Sequence, residues 1–260
     1  SFKVYAFFRG LARDLKPGAY ELNPAMSGGE ILRVLVHADR RAVTIRVPEG
    51  SSSYAIDTLL SDAGVLPRGS FAAQAAREKL EGKLFPDTYR LFTRSTPSEV
   101  ADVFLENFDE KAMPALPRDP EAAHRALVLA SLVEREVPDF EERRLVAGIF
   151  LKRLEQRVPL QVDASFCYIK EQRAFLAGAR PGSCLPLTEL DLKVDSPYNT
   201  YLYRGLPPGP IGSPGRGALE AVLSPRRSSY WYYLSDPASK KTIFAVTLDE
   251  HAKNKLRYLE

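Results

Sequence analysis

Ala126-Leu-Val-Leu-Ala-Ser-Leu-Val-Glu-Arg-Glu-Val137 decides the fold, because almost every residue up to Val133 is apolar. A helix that is apolar on most sides is buried on most sides, so we expect it to be central to its domain. Glu134 ends the apolar run, and a carboxylate there is costly to ionise unless something compensates its charge. That cost can keep a carboxyl group protonated near neutral pH, as a general acid requires. The simpler alternative is that Glu134 only marks the point where the helix reaches water.

The composition is that of an ordinary globular chain and argues against several functions. With 260 residues, 45% of them hydrophobic, the chain can form one large domain or two moderate ones. A net charge of +3, without a basic run that contains aromatics, argues against a nucleic-acid partner. No apolar run reaches the ~18 residues that span a bilayer. Cys167 and Cys184 are close enough in sequence to pair across a loop, but two cysteines do not identify the compartment.

Residues 1–42 are predicted to form a small mixed unit of strands and a helix. The chain starts at Ser1 without Met, directly in the strand-like run Phe2–Phe8, so we expect a natural N-terminus with an anchor to precede it. Ala19–Leu22 is also strand-like, and the Ser-Gly-Gly-Glu sequence before Ile31–Leu35 opens a short helix.

Residues 43–115 are predicted to form a second strand-helix module and a connector. Val43–Val47 alternates as a half-buried strand does, and a Ser-capped helix then runs to about Asp62. Leu80–Phe92 is interpreted as a connector, and Thr96 with Glu99 forms a capping box for the next helix. A strand, a turn and a helix thus occur twice, a shape that can bind polysaccharide or only pack against a neighbour.

Residues 116–260 are predicted to form the main domain. Asp119 caps a helix that runs to Val137, just before a proline. The alternation across Leu160–Phe166 predicts a strand whose other face carries Gln161, Asp163 and a serine. Near the end of the chain, a hairpin and a terminal helix are predicted. Their segments are Tyr230–Leu234, Thr242–Val246 and the helix capped by Thr247.

The stretch Asp195–Gly215 is predicted to be a functional loop. A loop of about twenty residues is uncommon in a compact domain without a functional reason. Prolines restrict its backbone, while Tyr198, Asn199 and Tyr201 supply flat apolar faces and hydrogen-bonding groups. This mixture suits a carbohydrate cleft, although a rigid structural wrap would have a similar composition.

The available chemistry centres on a carboxyl group. His37, His124 and His251 are scattered, and no His or Cys pair has the spacing of metal ligands. The sequence has no phosphate-binding glycine loop, no nucleophile elbow and no lysine in a persuasive Schiff-base context, so we expect no cofactor. Ordinary glycoside hydrolysis needs two carboxylates. A single one can suffice if the substrate supplies an internal nucleophile.

Five motifs give the chain a specific resemblance. They are Leu80-Glu-Gly-Lys-Leu-Phe-Pro-Asp-Thr-Tyr89, Ala130-Ser-Leu-Val-Glu-Arg-Glu136, Leu160-Gln-Val-Asp163, Ser196-Pro-Tyr-Asn-Thr-Tyr201 and Gly205-Leu-Pro-Pro-Gly-Pro-Ile211. In this order, over nearly the whole chain, they resemble the YceG-like endolytic murein transglycosylases (MltG). The resemblance implies an α+β fold with a small LysM-like N-terminal subdomain and a larger mixed α/β catalytic domain. It also implies a single membrane anchor before Ser1 and a catalytic domain on the periplasmic or extracytoplasmic side.

The resemblance also implies the site residues. The family's catalytic glutamate falls on Glu134, the first acid of the Glu-Arg-Glu triplet. The motif positions assigned to substrate binding are Gln161, Asp163, Ser196, Tyr198, Asn199, Thr200 and Tyr201. The chain departs from the family where Thr and Pro often flank the aspartate, because Val162 and Ala164 stand there. A hydroxyl group at position 162 is therefore missing.

The expected activity is cleavage of the bond from N-acetylmuramic acid to N-acetylglucosamine in peptidoglycan. Glu134 would donate a proton to the bridging oxygen and then act as base on the muramyl C6 hydroxyl, closing a 1,6-anhydro ring. Glu136, two residues further along the predicted helix, would point about 200° away and matter far less. We expect the enzyme to act on nascent strands, as a terminator of polymerisation, beside peptidoglycan synthases.

Two alternatives remain open from the sequence. The first is a non-catalytic protein that binds peptidoglycan or serves as a cell-division scaffold through its LysM-like part. The second is a hydrolase that uses Glu134 together with Asp163, which would leave reducing ends instead of anhydro ends.

Overall fold

A computed structural model describes residues 6–7, 9–16, 20, 22–37, 40–239 and 241–259. These residues combine helices with two-stranded antiparallel sheets, which agrees with the predicted α+β class. The helices are α1 Gly28–Val36, α2 Ser53–Asp62, α3 Ser70–Glu78, α4 Pro97–Lys111, α5 Pro120–Glu134, α6 Phe140–Glu155, α7 Asp163–Leu176, α8 Glu189–Leu192, α9 Arg216–Leu223 and α10 Leu248–Tyr258. The strands are β1 Ala42–Arg46, β2 Thr88–Phe92, β3 Tyr232–Ser235 and β4 Thr242–Ala245, and a 3-10 turn spans Met113–Ala115.

The first predicted strands lie largely outside the described residues. In the Phe2–Phe8 run only Ala6 and Phe7 are described, and both are helical, so the strand prediction is wrong for them. In the Ala19–Leu22 run the two described residues, Tyr20 and Leu22, belong to no strand. The helix predicted at residues 31–35 is confirmed as α1, which a Ser-Glu capping box opens.

The strand predicted at residues 43–47 is confirmed as β1, but its partner was missed. β1 pairs antiparallel with β2, so that Ile45 lies opposite Tyr89, and β2 lies inside the segment that was interpreted as a connector. Tyr89 and Leu91 are buried while Arg90 is exposed, as the two faces of a strand require. Five residues behind a Pro-Asp turn carry too short an alternation to stand out in the sequence.

Helix α3 depends on a carboxylate from another helix. Its N-cap, Gly69, offers no side chain, and instead Asp57 of α2 accepts hydrogen bonds from the backbone N–H groups of Gly69 (2.8 Å), Phe71 (3.0 Å) and Ala72 (3.0 Å). Asp57 is only 1% exposed. The side chain therefore satisfies donors that would otherwise be buried without partners.

We expect Asp57→Ala to lower the free energy of unfolding by about 2–4 kcal/mol, because three backbone donors lose their acceptor. The matched control is Asp62→Ala at the end of the same helix, where an exposed ion pair with Arg180 contributes at most about 1 kcal/mol. Urea denaturation of both variants measures the difference. Equal losses would contradict the capping role.

Helix α5 is the central helix that the apolar run predicts. Asp119 caps it with a hydrogen bond from the Ala122 N–H (2.8 Å), and every residue from Ala126 to Glu134 is buried. The predicted end at Val137 is wrong, because the helix stops at Glu134.

The chain turns more tightly after α5 than a helix does. The N–H groups of Arg135 and Glu136 donate to the carbonyls of Leu132 and Val133, three residues back instead of four. The angle of about 200° between the side chains of Glu134 and Glu136, which assumes a continuous helix, therefore does not apply.

The strand predicted across Leu160–Phe166 is wrong. Gln161 has a left-handed backbone (φ 51°), and helix α7 begins at Asp163. The alternation in the sequence arises because Leu160 and Val162 are buried on either side of the left-handed Gln161, whereas the next apolar residues are buried by the first turn of a helix. Two structures in succession thus reproduce the pattern of one strand.

The C-terminal part follows the sequence prediction closely. The hairpin is confirmed, with Tyr233 of β3 opposite Phe244 of β4, and the terminal helix α10 begins at a Thr-Glu capping box. Residues 195–215 contain neither helix nor strand. Within the described ranges, no helix has both the length and the apolar character needed to cross a membrane.

Candidate active site

Glu134 is buried, and two hydrogen-bond donors compensate the charge of its carboxylate. Its side chain is 3% exposed, Arg143 donates a hydrogen bond to Oε1, and the Gly215 N–H donates to Oε2 at 2.9 Å. Burial raises the pKa of Glu134, while the Gly215 N–H and the Arg143 charge oppose that rise. The burial of Glu134 that the apolar run predicts is confirmed, and the buried cation of Arg143 compensates its charge.

The neighbours of Glu134 fix it in place. Arg143 lies in the first turn of α6, is itself buried, and also donates through Nε to the Val137 carbonyl at 2.9 Å. Glu49 approaches the same guanidinium at 3.9 Å. A side chain at Gly215 would meet the carboxylate of Glu49, whose exposed and flexible side chain would have to move away. The Glu134–Arg143 ion pair and the Gly215 hydrogen bond thus connect α5, α6 and the start of α9.

Glu136 has a different environment, two residues further on. The Tyr233 hydroxyl donates to Oε2 at 2.8 Å, and the Ala164 N–H donates to Oε1 at 3.3 Å. The side chain keeps partial exposure to solvent. Burial in the surrounding protein nevertheless raises the pKa of Glu136 to about 7; the Asp163 charge adds to the rise, while the Tyr233 and Ala164 hydrogen bonds reduce it.

Asp163 and Tyr201 complete this second group, which we call the Glu136 site. It consists of Glu136, Asp163, Tyr201 and Tyr233. The Tyr201 hydroxyl donates to Asp163 Oδ1, and all four side chains are partly exposed. The pKa values of Tyr201 and Tyr233 are raised, chiefly by burial, so both hydroxyls stay protonated donors. Two motifs that were expected beside Glu134 thus meet beside Glu136.

The segments around Gln161 and Thr200 are locked together by their backbones. The Gln161 N–H donates to the Thr200 carbonyl (3.1 Å), and the Val162 N–H donates to the Thr200 hydroxyl (2.9 Å). Thr200 is buried and also shares a hydrogen bond with Ser165. Its position supports the site and keeps its hydroxyl away from solvent.

Asn199 has the same kind of supporting position. It is fully buried, donates to the carbonyls of Leu192 (3.1 Å) and Val194 (2.8 Å), and accepts a hydrogen bond from the Tyr201 N–H (3.1 Å). Its side-chain amide is thus used within the loop. The predicted substrate contact of Asn199 would need this arrangement to open.

The other predicted substrate residues keep accessible surface. Gln161 is exposed, whereas Ser196 and Tyr198 are partly exposed. The Ser196 hydroxyl accepts a hydrogen bond from the Tyr198 N–H at 3.3 Å. Contacts between these residues and a substrate stay predictions.

The sequence revealed neither Tyr233 of the Glu136 site nor Arg153, which connects the segments that carry the site. Arg153 is buried and donates to the carbonyls of Leu160 (2.7 Å) and Trp231 (2.6 Å), which joins the segment before α7 to the start of β3. Tyr233 is 97 residues away from Glu136 in the chain. No local pattern signals a contact of that range.

Cys167 and Cys184 form a disulfide, and the described residues hold no metal-ligand cluster. Cys167 of α7 is bonded to Cys184, with 5.4 Å between the Cα atoms, so the pairing that the sequence left open is present. The bond ties the loop before α8 to the helix that begins at Asp163. Among the residues that the structure describes, no group of three or more His, Cys, Asp or Glu side chains is arranged to hold a metal ion.

The Glu136 site has the properties of a general acid–base centre. A partly exposed carboxyl group with a pKa near neutrality can donate a proton and take one back. A neighbouring carboxylate, tyrosine hydroxyls and aromatic faces suit a hydroxyl-rich substrate. The site therefore contains the groups that acid–base chemistry on a carbohydrate would require.

Comparison with known proteins identifies the family. The chain belongs to the YceG-like family, whose model matches residues 1–257. It is 28% identical over 299 residues to the endolytic murein transglycosylase of Streptococcus pneumoniae, covering 97% of this chain and 52% of that protein. The enzyme of the same name from Bacillus subtilis is 29% identical and is covered to 77%.

One solved structure supports the same assignment. The crystal structure of a putative YceG-like protein from Listeria monocytogenes superposes with a TM-score of 0.67 at 28% identity, covering 98% of this chain and 89% of that one. The chain spans about half the length of the pneumococcal relative.

Proposed function

We propose that this protein is an endolytic murein transglycosylase. It would cleave the bond from N-acetylmuramic acid to N-acetylglucosamine in peptidoglycan glycan strands and leave 1,6-anhydro ends. Family membership and the names of the relatives support this activity. The observation that carries it is Glu136, a partly exposed carboxyl group whose pKa is raised to about 7 beside Asp163.

Within this proposal Glu136 replaces Glu134 as the proton donor. A general acid must come within hydrogen-bond reach of the bond that it cleaves. Glu134 is 3% exposed and has an arginine on one oxygen and a backbone N–H on the other. Glu136 has a donor on each oxygen too, but it keeps exposed surface and lies in the group that contains Asp163 and Tyr201.

The reaction needs one proton that is given and then recovered. Protonated Glu136 donates to the bridging oxygen, the bond from that oxygen to muramyl C1 breaks, and N-acetylglucosamine leaves with a free 4-hydroxyl group. The resulting carboxylate removes the proton of the muramyl C6 hydroxyl, and O6 bonds to C1. Asp163, oriented by Tyr201, supplies negative charge near the cation-like transition state. No water is consumed.

A glycoside hydrolase is the second candidate, because Asp163 is electrostatically coupled to Glu136. Two carboxylates on either side of one bond are what ordinary hydrolysis uses. In this candidate Asp163 would act together with Glu136, whereas the hydrolase considered from the sequence uses Glu134. Hydrolysis would leave reducing muramic acid ends.

Product analysis separates these functions. Purified glycan strands are incubated with the protein, and the products are examined by mass spectrometry. Anhydromuramic ends that increase with time are expected. Products that carry one additional water at each new end would favour hydrolysis, and strands that stay intact would favour the non-catalytic scaffold.

The proposal extends to the cellular setting. Because peptidoglycan strands are polymerised outside the cytoplasm, we place the catalytic part on the extracytoplasmic side, held by a membrane anchor and acting beside peptidoglycan synthases as a terminator of strand growth. A LysM-like role for residues 1–42 belongs to the same proposal. The resemblance of the motifs supports these points.

Tyr233→Phe tests how the acid is tuned. The Tyr233 hydroxyl stabilises ionised Glu136, so its removal should raise the pKa of Glu136 further above 7. The cleavage rate needs protonated Glu136 and falls as pH rises through that pKa. We therefore expect the alkaline limb of the pH–rate profile to move up by about 0.5–1 unit.

Tyr232→Phe is the control, because that tyrosine stacks on His251 and has no bond to Glu136. Its pH–rate profile should match the wild type. A downward shift for Tyr233→Phe, or equal profiles for the two variants, would contradict the tuning.

A further inference from the structure

A second cluster of aromatic and acidic side chains lies outside the Glu136 site. Tyr54 of α2, Tyr168 of α7 and Tyr198 of the 195–215 loop pack in a row, with ring centroids 5.9 Å apart for the first pair and 5.0 Å for the second. Tyr54 and Tyr198 are partly exposed, while Tyr168 is buried behind them. Three separate parts of the chain thus meet in one aromatic cluster, in which Tyr54 and Tyr198 keep exposed surface.

Polar groups border this aromatic row. Glu81 accepts hydrogen bonds from the Ser53 hydroxyl (2.7 Å) and the Tyr168 hydroxyl (3.3 Å), and it is partly exposed. Gln172 donates to the Tyr54 hydroxyl at 2.7 Å. Burial raises the pKa of Glu81 to about 7, so near neutral pH it presents an O–H as well as a carbonyl oxygen. Aromatic faces beside such groups are the usual means of binding a sugar ring.

The row shares helix α7 with Asp163 of the Glu136 site. Tyr168 follows Asp163 by five residues on that helix, a rise of about 7.5 Å and a rotation of about 140°. Tyr198 belongs to the same turn as Tyr201, whose hydroxyl binds Asp163. A glycan strand with its cleaved bond at Glu136 could therefore continue onto the tyrosines.

The charges around the row favour a neutral sugar. Glu171, which accepts a hydrogen bond from the Ser52 hydroxyl (2.8 Å), adds a second acidic side chain near Glu81. The adjacent cation, Arg135, is already engaged by Glu171 (3.5 Å) and by the Ile211 carbonyl (2.9 Å). Such a surface disfavours the lactyl carboxylate of muramic acid and the carboxylates of stem peptides.

We propose that Tyr54, Tyr168 and Tyr198, together with Glu81, form a subsite for a neutral N-acetylglucosamine residue of the bound strand. The identity of that strand rests on the proposed function. The subsite joins α2 of the N-terminal half to α7 of the catalytic half, so substrate contacts extend beyond the residues that the motifs assign. Tyr54 and Glu81 become residues that set sugar specificity.

Calorimetric titration with chitotetraose, a neutral oligomer of N-acetylglucosamine, tests the subsite on the full chain. Loss of one stacking face should raise Kd about ten-fold in Tyr54→Ala. Tyr230→Ala is the matched control, because that ring stacks on Phe244 of the hairpin instead, and its Kd should stay within two-fold of the wild type. If Tyr54→Ala does not fold, Tyr198→Leu provides the same test.

Three results would overturn the subsite. The first is an unchanged Kd in the tyrosine variants, and the second is no chitotetraose binding at millimolar concentration. The third is a free stem peptide that competes for the site as well as chitotetraose does. The first of these results would be seen if chitotetraose bound through residues 1–42 and not at the tyrosines. Chitotetraose contains no muramic acid and cannot give an anhydro product, so this readout is independent of the cleavage assay. Failure of the subsite proposal therefore does not imply failure of the proposed transglycosylase function, and the reverse also holds.

Discussion

Replacing Glu136 by Gln is expected to lower the rate of anhydro-end formation by about a thousand-fold or more. A positioned acid or base contributes about 10²–10⁴ in rate, and in the proposed mechanism one side chain serves in both roles. Glutamine has nearly the same shape, and its one side-chain oxygen can still accept one of the two hydrogen bonds that Tyr233 and Ala164 donate to different carboxylate oxygens. It can neither donate the proton to the leaving oxygen nor remove one from the C6 hydroxyl group.

The same variant should be more stable than the wild type at alkaline pH. Because the pKa of Glu136 is raised from 4.5 to about 7, the folded protein binds the proton more tightly, and the free energy of unfolding falls as pH rises between these values. Glutamine removes that loss, which amounts to about 1–3 kcal/mol for a partly exposed group. Thermal unfolding at pH 8 and pH 4.5 should show a gain at the higher pH only.

Glu155→Gln is the control for both measurements, since that side chain is exposed at the end of α6. It should change neither the single-turnover rate nor the pH dependence of unfolding. A Glu136→Gln enzyme within ten-fold of the wild-type rate would exclude Glu136 as the proton donor.

Replacing Glu134 by Ala is expected to lower the free energy of unfolding by about 3–5 kcal/mol. The change leaves the buried guanidinium of Arg143 without its closest carboxylate and deprives the Gly215 N–H of its acceptor. Uncompensated buried charge is among the few causes of losses of this size. Urea denaturation of the two single variants and of the double variant with Arg143→Met gives the coupling energy.

Glu141→Ala is the matched control, because Glu141 belongs to an exposed pair with Arg144 on the same helix, α6. Its loss should stay within about 1 kcal/mol. A Glu134→Ala loss as small as this, or additive effects in the double variant, would show that the buried ion pair contributes little.

Much of the frame could be predicted, because its signals are local. Capping residues mark the starts of α4, α5 and α10, and an apolar run marks the burial of α5. The C-terminal hairpin follows from two aromatic and β-branched segments around a polar loop. In each case the residues that define the element are within a few positions of one another.

The choice between Glu134 and Glu136 could not be made locally. Glu134 is the last residue of the apolar helix and Glu136 lies just beyond it. The position of the helix end therefore determines where each side chain points. The partners that distinguish them are distant in the chain: Gly215 is 81 residues from Glu134, and Tyr233 is 97 from Glu136. Only the tertiary fold shows which carboxyl group is enclosed.

The strand predicted at Leu160–Phe166 failed for a related reason. Alternating buried and exposed positions do not require a strand. Here a segment without regular structure, followed by the first turn of a helix, produced the same alternation. The substrate-binding role predicted for Asp163 stays a prediction, and the charge of Asp163 acts on Glu136.

The most direct measurement compares Glu134→Gln with Glu136→Gln on purified glycan strands. Single-turnover release of anhydromuropeptides is followed by mass spectrometry at a temperature where circular dichroism shows both variants to be folded. The expected result is that Glu134→Gln keeps at least about a tenth of the wild-type rate, while Glu136→Gln loses a factor of about a thousand. The reverse order, with Glu136→Gln active and Glu134→Gln inactive, would contradict the assignment of Glu136 as the acid.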